Sequence, residues 1–255
     1  MNYDEFVKKI KKIKEMKWVE SHRKGDTGIG KTLEDLLGIS ENNIAGPDFD
    51  IYELKSGRKD SSSMLTLFTK APLPKGANKE LLKVFGYRQR TRPANNSQKP
   101  LSSYMDVETR EETEAECRIE EKELHVTVDA LKENSVGLML EIVDNRIYIG
   151  NNKKVEAYYD ENALKKAFEE KYARLIYVLA SNKMQDGVEL FWFNEAFLLR
   201  GFSFKRFSEL IEIGTIKIDI RIGHYQNGRL HDHGTGFRVL PKYLPQCFEI
   251  IEKII

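Results

Sequence analysis

The stretch Pro47-Asp48-Phe49-Asp50-Ile51-Tyr52-Glu53-Leu54-Lys55 sets acidic residues and a lysine around one predicted strand. Side chains alternate along a strand, so Glu53 and Lys55 project to one face while Leu54 turns into apolar packing. Asp48 precedes the strand and can reach the same spot. Two carboxylates supply the hard oxygen ligands that Mg²⁺ takes alongside waters and a phosphate. Lys55 adds a mobile cationic donor for a phosphate oxygen or an attacking water. The spacing suits metal-assisted hydrolysis of a phosphodiester. Taken alone it is weak, because an acid followed loosely by Glu-x-Lys arises about once by chance in a chain of this size. A solvated edge strand with an alternating charge pair is the plainer explanation of the bare motif.

The preceding segment, Gly25-Asp26-Thr27-Gly28-Ile29-Gly30-Lys31-Thr32-Leu33-Glu34-Asp35-Leu36-Leu37-Gly38, supplies context. Leu33, Leu36 and Leu37 have helical spacing, with Thr32 predicted as the N-cap and Gly38 as the stop. That phase leaves Glu34 off the buried stripe. Residues 25–32 also satisfy the nucleotide-binding pattern G-x-x-x-x-G-K-[ST]. A phosphate-cradling loop needs a buried strand feeding it, and Lys14 to Lys24 is far too polar to be one. The pattern is therefore read as a false match. Gly28 and Gly30 are read as a flexible approach to the helix, able to pass close to phosphates.

Towards the C-terminus, Ile216-Lys217-Ile218-Asp219-Ile220-Arg221-Ile222 alternates strictly, and Asn227-Gly228 is a strong hairpin signal. The isoleucines share one face, leaving Lys217, Asp219 and Arg221 on the other. A two-stranded ribbon of this kind fits the major groove of DNA, where Arg can donate twice to guanine and Asp can accept from cytosine. His231-x-His233 has the spacing of a metal pair on a strand, but no third ligand accompanies it.

Four separated blocks, in order, resemble the MvaI/BcnI family of restriction endonucleases: Thr27-Gly28-Ile29-Gly30-Lys31-Thr32-x-Glu34-Asp35-Leu36-Leu37, then Pro47-Asp48-Phe49 with Glu53-x-Lys55, then Leu65-Thr66-Leu67-Phe68-Thr69-Lys70, and finally 216–223 with His231-Asp232-His233-Gly234-Thr235-Gly236-Phe237-Arg238. Residues 90–205 carry no matching motif. The resemblance implies an α+β, MutH-like PD-(D/E)xK fold, a mixed central sheet flanked by helices, with two lobes around a DNA cleft. It implies one endonuclease domain over 1–255, with a catalytic lobe mainly in 1–90 and recognition elements mainly in 205–245. Asp48 and Glu53 with the Leu54 carbonyl would hold Mg²⁺, for which Mn²⁺ substitutes, whereas Ca²⁺ binds without supporting cleavage. Lys55 would orient the attacking water, and Glu34 would add a further carboxylate. Asp50, three residues from Glu53 and so on the opposite strand face, is the less favoured alternative to Asp48. Lys31, Thr69, Lys70, Asp219, Arg221, His231, Asp232, His233 and Arg238 would contact DNA. The implied substrate is double-stranded DNA with a CC-N-GG-type site, cut by a monomer one strand at a time, with a DNA methyltransferase as functional partner; the alternatives are a MutH-like strand-specific nickase of mismatch repair and a DNA-binding module whose acids are structural.

Composition agrees with a soluble, cytoplasmic protein. The 255 residues hold only two cysteines, Cys117 and Cys247, which suggest neither a disulfide framework nor a cysteine-based zinc site. No segment approaches the roughly 18 apolar residues of a membrane span, and the start lacks a signal-peptide profile. The formal net charge of +1 conceals segregation: residues 49–99 carry eleven Lys/Arg against four acids, and 106–123 carry nine acids against three bases. The basic stretch could track phosphates. Helices are expected near 2–17, 32–37, 77–87, 160–173, 204–213 and 242–254. Strands are expected near 50–56, 64–70, 123–130, 137–143, 146–149, in a hairpin around Asp186-Gly187, and within 215–240. Residues 91–103 are expected to form a loop.

Overall fold

Capping, apolar spacing and turn chemistry account for most of the elements. The computed structural model describes residues 1–39, 48–88, 122–144, 146–150, 154–170, 174–225, 229–232 and 234–255. The expected loop at 91–103, Cys117, most of the acidic run, the Asn227-Gly228 turn and His233 lie outside the described residues. The described chain divides into two compact units: Met1–Phe68, Asn162–Ile216 and Arg238–Ile255 form the first, and Thr69–Glu161 and Lys217–Phe237 the second.

In the first unit, helix α1 (Tyr3–Glu15) starts at a capping box, Asn2 accepting from the Glu5 amide and Glu5 from the Asn2 amide. Its apolar stripe of Phe6, Ile10 and Ile13 is buried. After the two-residue strand β1 (Val19–Glu20) comes helix α2 (Gly28–Leu37), then β2 (Tyr52–Arg58) and β3 (Leu65–Thr69). α2 begins four residues earlier than expected. Its N-cap is Thr27, while Thr32 lies inside the helix, fully buried, its hydroxyl donating to the Gly28 carbonyl. Gly38 does end the helix, in the left-handed conformation.

The second unit contributes α3 (Ala77–Phe85), β4 (Tyr87–Arg88), β5 (Lys122–Val128), β6 (Met139–Val143), β7 (Arg146–Gly150) and β8 (Tyr158–Asp160). The chain then returns to the first unit through α4 (Glu161–Glu169), β9 (Arg174–Gln185), β10 (Val188–Arg200) and α5 (Phe204–Glu212). Strands β11 (Ile216–His224), β12 (Leu230–Asp232) and β13 (Gly236–Val239) follow. A 3₁₀ turn, Pro241–Cys247, and strand β14 (Ile250–Lys253) close the chain. The helix expected over 242–254 is therefore absent. Pro245 has no N–H to continue one, and the β-branched Ile250 and Ile251 pair instead with the edge of β10.

The first unit's sheet runs β1-β10-β9-β2, with β14 also on β10. β9 and β10 form the expected hairpin: Asp186 (φ 51°) and Gly187 (φ 78°) both take the positive φ of a tight two-residue turn. β2 lies at the sheet's end, parallel to β9, with Leu54 opposite Ile176 and Lys55 opposite Tyr177. Leu54, Ile176, Val178 and Ala180 point into a core shared with Phe6, Ile10, Leu33 and Leu37. That arrangement leaves Glu53, Lys55 and Gly57 on the opposite face of β2. A second apolar cluster gathers Phe68, Phe168, Phe202, Phe204 and Phe207, with Phe168 meeting Phe202 edge-on at 4.9 Å between centroids.

In the second unit, β13, β11, β5 and β4 lie side by side, β12 pairs with β11, and β6, β7 and β8 form a separate antiparallel sheet. Ile218, Ile220 and Ile222 are buried, as their alternation requires. Among the described residues no helix is long and apolar enough to cross a membrane.

Candidate active site

Phe49 and Tyr52 exchange backbone hydrogen bonds, which closes a tight turn through Asp50 and Ile51. Asp50 sits at its bend with φ 49°, a conformation Asp tolerates better than most residues, and its side chain is exposed. The turn swings Asp48 back along the strand, where its Oδ2 accepts from the Leu54 amide at 2.7 Å. In a parallel pair the N–H and C=O of one residue face the same side. The Leu54 carbonyl therefore also points towards Asp48 and away from β9. Glu53 is 2% exposed, and its Oε1 lies 2.7 Å from the Lys55 ammonium. A carboxylate this buried costs several kcal/mol unless a cation compensates it. Asp48 on the Leu54 amide and Glu53 beside Lys55 are thus two polar pairs at successive positions of β2.

No group of three or more His, Cys, Asp and Glu side chains suited to a metal occurs among the described residues. The donor set at β2 is two carboxylates and a carbonyl. That is too few for a closed protein cage, and it fits a hard cation that keeps several waters, as Mg²⁺ does.

Helix α2 packs Leu33 and Leu37 into the core that also takes Leu54, and Glu34 is half-buried on it. Lys31 pairs with Asp35 one turn on, at 2.9 Å, and Asp35 also meets the His22 ring at 2.9 Å. These two partners hold the Asp35 carboxyl below its ordinary range. The His22 amide donates to the Thr32 hydroxyl, so the segment before α2 is fastened to the helix. Gly28 is required there, because a Cβ would lie 2.3 Å from the Arg23 carbonyl oxygen. The nucleotide-binding pattern has no structural counterpart: β1 has two residues and runs antiparallel to β10.

Several cations of the basic stretch serve the fold. Arg58 donates from Nε and Nη2 to the two oxygens of Glu189, each at 2.7 Å, and reaches the Asp26 and Gly25 carbonyls at 3.2 and 3.3 Å. Lys59 donates to Glu195 at 2.8 Å. Arg58 and Lys59 hold the carboxyls of Glu189 and Glu195 below the usual range.

In the second unit, the outward face of β11 is an ordered polar array. Arg221 Nε donates to Asp219 Oδ2 at 2.7 Å, and the Thr127 hydroxyl donates to Asp219 Oδ1 at 3.0 Å. The Asp219 side chain is 8% exposed and that of Arg221 51%. Lys217 is paired with Asp129 at 2.8 Å. At the end of the ribbon the His231 ring stacks on Tyr225, with centroids 4.1 Å apart. Asp232 accepts from Asn78 Nδ2 at 2.9 Å and from the Gly234 amide at 2.8 Å, and Asn78 also donates to the buried Thr235 hydroxyl at 3.0 Å. The Lys70 amide donates to the Thr235 carbonyl, while the Thr69 side chain is exposed. In the first unit, Arg238 Nε donates to the Thr66 hydroxyl at 2.9 Å. Asn78, Thr127 and Tyr225 were not foreseen. Their partners lie 154, 92 and 6 positions away, and nothing in the local sequence marks them.

Comparison with known proteins identifies the family. The model of the MvaI/BcnI restriction endonuclease family matches residues 7–248. Comparison with curated proteins yields no match. Among solved structures, a complex of restriction endonuclease MvaI with its cognate DNA substrate is similar at 28% identity and a TM-score of 0.78, covering all of both chains. MvaI in the absence of DNA is similar at 27% identity and a TM-score of 0.54, covering 100% of this chain and 99% of that one. With the family model spanning nearly the whole sequence and the acidic cluster and polar ribbon in place, the chain belongs to the MvaI/BcnI restriction endonuclease family.

Proposed function

We propose that this chain is a Mg²⁺-dependent endonuclease that cuts double-stranded DNA at a short CC-N-GG-type site, one strand at a time, with its hydrolytic centre on β2. Family membership makes it a type II site-specific deoxyribonuclease; the placement of the chemistry rests on the residues. The observation that carries it is the joint position of Asp48 on the Leu54 amide and Glu53 beside Lys55.

Asp48, Glu53 and the Leu54 carbonyl are assigned as the metal ligands, with Glu34 as an accessory carboxylate. When bound, the metal lowers the pKa of a water and offsets charge developing on the phosphate. Lys55 orients the water and donates to a phosphate oxygen, the usual work of a mobile ammonium. Mn²⁺ is expected to replace Mg²⁺, and Ca²⁺ to permit binding without cleavage. Arg221 is assigned to guanine recognition, and Asp219, with both oxygens engaged within the protein, holds the guanidinium in place. His231, His233 and Arg238 join the base readers, Asp232 fixes the turn through Asn78, and Lys31, Thr69 and Lys70 take phosphates. A cytoplasmic location and a DNA methyltransferase protecting the same sites complete the reading.

One centre and one ribbon per chain let a monomer act on a pseudo-symmetric site by nicking, reorienting and nicking again. The test is digestion of supercoiled plasmid in excess over enzyme, with the ends mapped by run-off sequencing. The expected result is transient open circles, then linear DNA with ends inside CC-N-GG sites. Ends elsewhere would reject the site class, and linear product without open circles would reject the stepwise scheme.

A further inference from the structure

Strand β9 carries a buried phenol that makes no hydrogen bond among the described residues. Tyr177 is 5% exposed, and its hydroxyl has no partner among the described residues. Burial pushes its pKa up to about 12, so the group is neutral at physiological pH. Gly57 makes room for it: a Cβ at that position would lie 2.5 Å from the hydroxyl oxygen and 3.3 Å from the carbon bearing it. Phenylalanine would fill the same space without stranding a polar atom. The parallel register sets Tyr177 beside Lys55, on the face of β2 that carries Glu53, Lys55 and Gly57.

We infer that Tyr177 is a positioning residue for Lys55: its hydroxyl oxygen accepts a hydrogen bond from the Lys55 ammonium when Glu53 turns its carboxylate to a divalent cation. The inference rests on the assignment of Glu53 as a metal ligand. In the structure Lys55 lies 2.7 Å from Glu53. A cation competes with that ammonium for the same carboxylate and repels it. The ammonium has three donors and no acceptor, so the displaced group needs oxygen lone pairs nearby. Neighbouring strands stand ~4.8 Å apart, and the four-carbon stem of lysine is long enough to swing from Glu53 on its own strand to the phenol on the next. Parked there, Lys55 stays on the reacting face and Glu53 is free for the metal.

Mn²⁺ alone is the probe, its binding to the protein followed by loss of the free ion's paramagnetic signal. Wild type, Y177F, E53A, K55A and K55A/Y177F are compared, with thermal melts confirming that each is folded. Tyr177→Phe removes only the stranded oxygen and is expected to melt no lower than wild type. E53A should lose binding. Y177F should bind about threefold or more weakly, because Lys55 then keeps competing for Glu53, and the same change should have no effect in the K55A background. The turnover number of Y177F should fall with its KM for DNA unchanged. Wild-type Mn²⁺ affinity in Y177F, with E53A inactive in binding, would overturn the inference alone, as would equal weakening with and without Lys55. Unimpaired binding by E53A, or none by wild type in the millimolar range, would overturn the metal assignment beneath it.

Discussion

Asp48 and Asp50 are two positions apart, and the backbone sets their carboxylates in different surroundings. Asp50 occupies a left-handed turn position with its carboxyl exposed, whereas Asp48 is folded back onto the Leu54 amide. Glycine takes the left-handed conformation without strain, so Asp50→Gly should preserve the turn. We expect Asp50→Gly to cleave plasmid near the wild-type rate and Asp48→Asn, if it holds the metal as proposed, to lose roughly 100-fold or more, since groups that only support a metal ligand are already worth about 10–100-fold. Initial rates of plasmid nicking measure both, and the reverse order would move the metal to Asp50. The alternation of Glu53, Leu54 and Lys55 was readable from the strand period alone, whereas Asp50, expected at the start of the strand, lies in the turn before it. The use of the lysines and arginines was not readable. Arg58 and Lys59 counted towards a phosphate-tracking stretch, yet their partners Glu189 and Glu195 lie 131 and 136 residues away, and only the folded sheet brings them together.

Elements with strong periodicity or a decisive turn were legible: α1, the β9–β10 hairpin and the isoleucine face of β11. The failures have physical causes. Thr32 has N-cap chemistry, but its hydroxyl is equally satisfied by the carbonyl four residues back inside a helix, and the helix starts a turn earlier at Gly28, where only glycine fits against the Arg23 carbonyl. The C-terminal segment has apolar residues compatible with a helix, and strand pairing with β10 prevails where Pro245 interrupts. The β11 ribbon was placed from sequence with its outward residues, but not the tether that ties Arg221 to Asp219 and Asp219 to Thr127. That tether makes a prediction for the element. Arg221→Ala should weaken binding to a cognate duplex by about 1–3 kcal/mol relative to random DNA, the usual worth of a bidentate guanine contact. Asp219→Ala should lose specificity in the same direction because it frees the guanidinium. Equal losses on cognate and random duplexes would make Arg221 a phosphate contact.

At the scale of the whole molecule, the family model spans residues 7–248, and one chain carries the β2 cluster in its first unit and the polar ribbon in its second. The middle of the chain, where no motif was legible, supplies β9, the strand that pairs with β2 and places Tyr177 beside Lys55, and β10 on the far side of β9. That Glu53 and Lys55 perform hydrolysis, and do not merely hold the sheet, is the core of the proposed function. It is tested most directly by plasmid cleavage in Mg²⁺ alongside specific DNA binding in Ca²⁺, for wild type, Glu53→Ala and Lys55→Ala, each matched to wild type by circular dichroism. On that proposal both variants lose cleavage and bind a cognate duplex nearly as tightly as wild type. Cleavage at the wild-type rate by either folded variant would contradict it.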